Sequence, residues 1–375
     1  MHFEPHYQIA DSLYRLKNKL LSENYNFLDY RVPYKEPDST YKNLICVTGF
    51  GHSGSGVILD YLSEFDNTTV VGLHDKDCSG LKNINDDENL EFDILRCPCG
   101  LFDIEEAVVR GNTNYFNDNF IVKNFIHLAQ YLYLKGGIYT DKFWELTNAF
   151  IDEITDMKLP MQKAFEGLYY LGITELNRKT YRNLESPLLF NGSVLQYIYY
   201  LKRMSKEEFR KIANKYLTDF FKSINSKNFL VFDQIITDSK PNIEKKLEYL
   251  GDFKLVCVYR DPRDVYITGL SKHADWIPKN PENFVKWYKR RGIPDYIKEK
   301  HPKILTVRFE DCVLNYDSTF KIVNEFLGLN PKNHINKKEY FNPEVSKRNI
   351  GIYKNSTNPD DIKYIEGKLK EYCWK

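Results

Sequence analysis

The segment Asn43–Phe65 constrains this chain most. It runs NLICVTGFGHSGSGVILDYLSEF: an apolar run, a glycine-rich turn and a helical pattern in direct succession. Val57, Ile58, Tyr61, Leu62 and Phe65 recur at helical spacing, which predicts strand, loop, helix. At such a junction backbone N–H groups converge, and the positive end of the helix dipole faces the loop. Glycines let the backbone approach an oxygen-rich anion closely, and serine hydroxyls add donors. Gly51, His52, Ser53, Gly54, Ser55 and Gly56 are therefore a candidate phosphate cradle. The competing reading is a Gly/Ser-rich turn with no ligand. The loop is a poor match to a nucleoside triphosphatase loop. The pattern GxxxxGK[ST] fits Gly49 and Gly54, but Ser55 and Gly56 stand where the lysine and the hydroxyl residue belong.

Further strand signals lie at Thr68–Gly72, Phe229–Phe232, Lys254–Tyr259 and Ile304–Phe309, with helical patterns between them. Short apolar strands alternating with helices predict an α/β fold, with a central, mostly parallel sheet covered by helices on both faces. Residues 6–23 read as an amphipathic helix. Asp317 is an expected N-cap, Gly328 an expected helix stop, and a last helix is expected over Pro359–Tyr372. Residues 74–225 are patterned mainly as helix, including the aromatic runs at Tyr131–Tyr133 and Tyr197–Tyr200. With no Pro/Gly linker at its edges, this stretch reads as a helical insertion within one α/β domain spanning 1–375.

Composition excludes several classes. Lys plus Arg total 53 and Asp plus Glu 52 in 375 residues, a formal net charge of +1. A protein that coats nucleic acid or an anionic membrane needs a more basic surface. No uncharged stretch is long and apolar enough to span a bilayer, and the N-terminus carries no apolar signal core. Seven scattered cysteines fit reduced thiols in a cytoplasm. An abundance of Lys, Asn, Ile and Tyr hints at an AT-rich bacterial genome. His74, Cys78, Cys97 and Cys99 could be zinc ligands, but their spacings are not the common ones, so no metal is expected.

A second element is more specific. Lys254–Thr268 reads KLVCVYRDPRDVYIT, placing Arg260 just beyond a strand, where ligands bind in open α/β sheets. Thr268 follows one to two helical turns later, so its hydroxyl can share a target with Arg260. A third element, RFEDCVLNYDSTFKIVNEFLGL, begins at Arg308. Together GFGHSGSG, RDPRDVYIT and this third segment resemble, in order, the sulfotransferases that use 3′-phosphoadenosine 5′-phosphosulfate. The resemblance covers Asn43–Phe65 and Asn228–Leu329, with a weaker match at Ser346–Lys354.

The resemblance implies that Ser53, Gly54, Ser55 and Gly56 hold the 5′-phosphate and sulfate, while Arg260 and Thr268 grip the 3′-phosphate. Lys347 or Arg348 would add a second cation there; a solvated basic loop is the other reading. It implies a cytoplasmic enzyme transferring a sulfuryl group, without an obligatory metal, from this donor to a hydroxyl on an acceptor, a carbohydrate by likeness to bacterial members. The bisphosphate is then the product. Two positions depart from the family pattern. Thr268 replaces the usual Ser and keeps the hydroxyl. His52 replaces the usual Lys or Arg of the loop; a nearby phosphosulfate would raise its pKa and favour an imidazolium that stabilises the leaving group. A cation elsewhere in the fold is the alternative. For the general base, Asp233 ends an apolar strand at the same edge, with Glu105, Glu106 and Glu166 as competitors. A P-loop kinase or NTPase, or a module that holds nucleotide without catalysis, are the competing functions.

Overall fold

The structure is a computed structural model and describes residues 41–49, 51–71, 100–110, 121–126, 128–129, 132–133, 137–160, 197–224, 227–233, 248–250, 253–272, 274, 277–290 and 301–375. The expected helix over 6–23, the four zinc candidates and Glu166 lie outside them. In chain order the elements are β1 (Leu44–Gly49), α1 (Gly56–Ser63), β2 (Thr68–Val71), α2 (Leu101–Arg110), α3 (Asp141–Ile154), β3 (Thr155–Pro160), β4 (Tyr197–Leu201), α4 (Lys206–Ile224), β5 (Phe229–Asp233), β6 (Phe253–Tyr259), α5 (Pro262–Ser271), α6 (Pro281–Arg290), β7 (Ile304–Arg308), α7 (Phe309–Leu314), α8 (Tyr316–Leu327) and α9 (Pro359–Leu369). They fall into two compact units, one within residues 93–220 and one containing 41–71 and 221–375.

The larger unit holds a five-stranded sheet in the order β2-β5-β1-β6-β7. Every pairing in it is parallel. All six residues of β1 are buried, as a strand covered on both faces requires, so its run LICVTG need not alternate. α1 buries Val57, Ile58, Leu59, Tyr61 and Leu62. Tyr61 stacks on Phe320 of α8, centroids 3.8 Å apart. Below α1, the buried Glu64 carboxylate accepts from Phe341 N–H at 3.0 Å and pairs with His334, fastening the C-terminal segment to the sheet. From β1 the chain runs outward to β2, returns to β5, then crosses to β6 and β7. That reversal beside β1 is a switch point, and in open α/β sheets ligands bind at such a point, at the carboxyl ends of the strands.

Several element boundaries differ from the sequence reading, most of the strand ends by a single residue. β7 stops at Arg308 because Phe309 already starts α7. α8 begins one residue before Asp317, capped by Asn315, whose carbonyl accepts from Thr319 N–H. The last helix ends at Leu369, and 370–372 tighten into a 3₁₀ turn. Gly328 does end α8, with φ 77°, a conformation that suits glycine.

The smaller unit is not wholly helical. Tyr197–Leu201, expected as helix, pairs antiparallel with β3, Pro160 opposite Tyr197. The run YIYYL is five residues of strand-favouring Tyr, Ile and Leu, and short apolar runs do not distinguish helix from strand by periodicity. Around the hairpin, Phe150 stacks on Tyr216 at 4.9 Å, and Thr147 shares a 2.9 Å hydrogen bond with the Tyr216 hydroxyl. The Glu105 carboxylate accepts from Arg210 at 3.1 Å and lies 3.6 Å from Lys206.

Candidate functional site: a glycine loop and an arginine at one sheet edge

β1, β5, β6 and β7 run in parallel, so their carboxyl ends share an edge. The glycine loop, Asp233, Arg260 and Phe309–Glu310 all follow from it. In the loop, Gly51, His52 and Gly54 adopt φ of 71°, 49° and 83°. Left-handed residues among right-handed ones turn successive N–H groups to one side, the geometry of an anion-binding nest. His52 is the costly member, since a side chain in this region loses about 1–2 kcal/mol. Packing leaves little choice of residue. A Cβ on Gly49 would lie 2.1 Å from Ser53 Oγ, and one on Gly54 would lie 2.4 Å from Phe309 Cδ2. Ser55 occupies the N-cap of α1 without a side-chain capping bond. Ser53 is 3% exposed, and its Oγ has no hydrogen-bond partner. A buried hydroxyl left so costs about 1–3 kcal/mol, a deficit that an arriving phosphate oxygen would remove.

Arg260 links this loop to two other segments. Its Nη1 donates to the His52 carbonyl at 3.1 Å and to Thr268 Oγ1 at 3.2 Å; Nη2 donates to the Asn349 carbonyl. Its buried Nε has no partner. Arg260 and Thr268 are thus brought together, as their spacing suggests. Thr268 Oγ1 itself donates to the Asp264 carbonyl at 2.7 Å, one turn back. The Asp264 carboxylate accepts from Gly351 N–H at 2.7 Å and Tyr353 N–H at 3.0 Å. Burial pushes its pKa up, against the pull of those two donors and of Arg260. Asp261 accepts from Arg263 Nη2 at 2.7 Å and Trp374 N–H at 2.8 Å, and its own N–H donates to Glu310 Oε1 at 2.9 Å. Each carboxylate of Arg260-Asp261-Pro262-Arg263-Asp264 therefore holds backbone from the C-terminal part of the chain.

Of the two later basic residues, Lys347 is exposed and ion-paired with Glu344 at 2.7 Å, and Arg348 is exposed. Neither makes a recorded contact with Arg260; the segment reaches it through the Asn349 carbonyl.

No family model matches the sequence, and no curated protein is significantly similar to it. Two of the solved structures with low-scoring likenesses to the chain are sulfotransferases. One is the sulfotransferase domain from the Synechococcus PCC 7002 olefin synthase, with 13% identity, a TM-score of 0.38, 92% of this chain and all of that one covered. The other is sulfotransferase STF9 from Mycobacterium avium, with 11% identity, a TM-score of 0.35, and coverage of 97% and 80%. Both values are low, so the residues of this chain carry the functional reading.

The expected rise in the His52 pKa belongs to a loop that holds an anion. Burial, then the charges of Lys272 and Arg260, lower the pKa of His52. Without an anion, its imidazole is neutral at pH 7. Asp233 is buried at the end of β5, in register with Val47 of β1, so it stands one strand away from the start of the loop. Glu105 is held by Arg210 and Lys206. Two residues went unassigned in the sequence. Asp264 is conspicuous only as the second acid of RDPRD, and Glu310 only as the first acid of RFED. Glu310 is fully buried and its carboxyl is pushed up to about 6 by burial. Among the described residues no group of three or more His, Cys, Asp or Glu side chains gathers to hold a metal, and no helix is long and apolar enough to cross a membrane.

Proposed function

We propose that this chain is a sulfotransferase that takes its sulfuryl group from 3′-phosphoadenosine 5′-phosphosulfate, in one α/β domain with residues 74–225 inserted. One observation carries the reading. A nest-shaped glycine loop with a partnerless buried hydroxyl adjoins an Arg–Thr pair that touches that loop's own backbone. The donor carries phosphate at both ends of its ribose, and two adjacent anion sites of this kind suit it. Ser53 Oγ and the N–H groups of Gly54, Ser55 and Gly56 would take the 5′-phosphosulfate. Arg260 and Thr268 would take the 3′-phosphate, with Arg260 exchanging the Asn349 carbonyl for a charged oxygen, a stronger acceptor. Lys347 or Arg348 would close over it.

In the transfer, the acceptor hydroxyl oxygen attacks sulfur in line. The new O–S bond forms as the S–O bond to the 5′-phosphate breaks, and the hydroxyl proton passes to Asp233. The bisphosphate leaves with the electron pair of the broken bond. His52 serves as an N–H donor or, once the anion reverses its pKa shift, as a cation to the leaving oxygen. The acceptor is a hydroxylated molecule, by our reading a carbohydrate, and the enzyme works in the cytoplasm without a metal.

Calorimetric titration with 3′-phosphoadenosine 5′-phosphate, beside ATP with Mg²⁺, tests this reading. Binding of the bisphosphate that Arg260→Ala abolishes is the expected result. Preference for ATP with Mg²⁺ would replace it with a kinase or NTPase. Tight bisphosphate binding with no turnover on any acceptor would leave a nucleotide-holding module.

A further inference from the structure

Among the described residues, the loop proposed to hold the sulfuryl end carries no standing positive charge of its own. Ser55 and Gly56 supply none, and His52 is neutral in the free protein. One segment joined to the site that can supply one is the end of α5. Lys272 is the C-cap residue of that helix, and its N–H donates to the Thr268 carbonyl at 3.0 Å. Residues four apart on a helix project from the same face, so Lys272 stands one turn beyond the Thr268 hydroxyl on the side that faces Arg260. Thr268, Arg260 and the His52 carbonyl form a continuous chain of 3.2 and 3.1 Å contacts. Lys272 is exposed, and among the described residues no carboxylate pairs with it. Its charge nevertheless acts on the His52 ring. A helix C-terminus also favours a cation, and a lysine's long stem lets a compact charge follow a moving oxygen.

We propose that Lys272 is the cation that completes the cradle, binding the 5′-phosphosulfate end of the donor in place of the loop lysine or arginine. The inference rests on the sulfotransferase reading of the site. It assigns the stabilisation of the leaving bridging oxygen to α5 rather than to the loop, with His52 as a neutral donor beside it.

Two measurements on the full-length protein test it, using Lys272→Ala and the conservative Lys272→Arg. The first is calorimetry with 3′-phosphoadenosine 5′-phosphate and with adenosine 3′-monophosphate, which lacks the 5′ group. Lys272→Ala should weaken the bisphosphate about tenfold to a hundredfold, the worth of one charge-assisted contact, and leave the 3′-monophosphate unchanged. Lys272→Arg should restore most of the loss, while Arg260→Ala should abolish the binding of both ligands. The second is NMR titration of His52 without ligand, where Lys272→Ala should move the transition to higher pH. Equal bisphosphate affinity in wild type and Lys272→Ala, or an unmoved His52 titration, overturns the role of Lys272 and leaves the sulfotransferase reading intact. If wild type binds neither nucleotide, the reading itself falls, even where the His52 titration moves.

Discussion

The two halves of the proposed anion site are built on opposite principles. The glycine loop has three left-handed residues, and the buried hydroxyl of Ser53 has no hydrogen-bond partner. The Arg260–Asp264 element is densely bonded. Its two carboxylates accept from the N–H groups of Gly351, Tyr353, Arg263 and Trp374. Stability and binding are therefore separable at the loop and fused at the arginine element. The Ser53 hydroxyl is spare to the fold, whereas the RDPRD turn fastens the C-terminal segment through Gly351, Tyr353 and Trp374.

The largest expected effect tests that fusion. Asp264→Ala removes the acceptor of two backbone N–H groups, and should cost about 2–4 kcal/mol, because each donor left unmet forfeits its full desolvation. Calorimetric unfolding should show it as a large fall in Tm, and nucleotide binding should fall in parallel, since Asn349 loses its place beside Arg260. Undiminished stability would mean that the segment is held elsewhere. Next is Gly54→Ala. The new methyl would stand 2.4 Å from the Phe309 ring at φ 83°, so a loss of about 2–3 kcal/mol is expected from overpacking plus a left-handed alanine. Combined with Phe309→Ala, which removes every ring atom the methyl would meet, Gly54→Ala should cost less than it does alone, so the double variant loses less than the sum of the two single ones.

Much of the fold was legible because parallel strands buried on both faces are written as short apolar runs. LICVTG and KLVCVY are strand where the sequence places them, the second starting one residue earlier, at Phe253. The loop and the Arg260–Thr268 pair were legible for the same reason: helical spacing and a strand end determine where a side chain goes. What the sequence hid depends on distant partners. The bonds from Asp264 to Gly351 and Tyr353 span 87 and 89 residues, and no local pattern announces them. The sign of the His52 shift was also hidden. It depends on burial and on Lys272 and Arg260, charges 220 and 208 residues away in sequence. YIYYL shows a different failure, an apolar run equally at home in a helix or a hairpin until β3 supplies a partner.

A smaller effect concerns the joint between the two halves. Burial raises the Glu310 carboxyl from 4.5 to about 6. A raised pKa means that the folded state holds the proton more tightly, so this contribution to stability is full below pH 4.5 and is lost as pH rises through 6. Glu310→Gln keeps an acceptor for Asp261 N–H but cannot titrate. Denaturant unfolding between pH 4.5 and 7 should show wild type losing about 2 kcal/mol relative to this variant across that window. Parallel curves would place the ionisation elsewhere.

The smallest expected change in stability is at Ser53, and it separates the halves most cleanly. Its Oγ is buried without a partner, so Ser53→Ala removes an unsatisfied group rather than a bond. Stability should stay within about 0.5 kcal/mol or rise slightly, while affinity for 3′-phosphoadenosine 5′-phosphate falls about tenfold through the loss of one hydrogen bond to a charged oxygen. Asp264→Ala should lower both quantities together, and Ser53→Ala only the second. If Ser53→Ala lowers Tm and leaves affinity untouched, the hydroxyl serves packing, and the loop is a tight turn that holds no anion at that position.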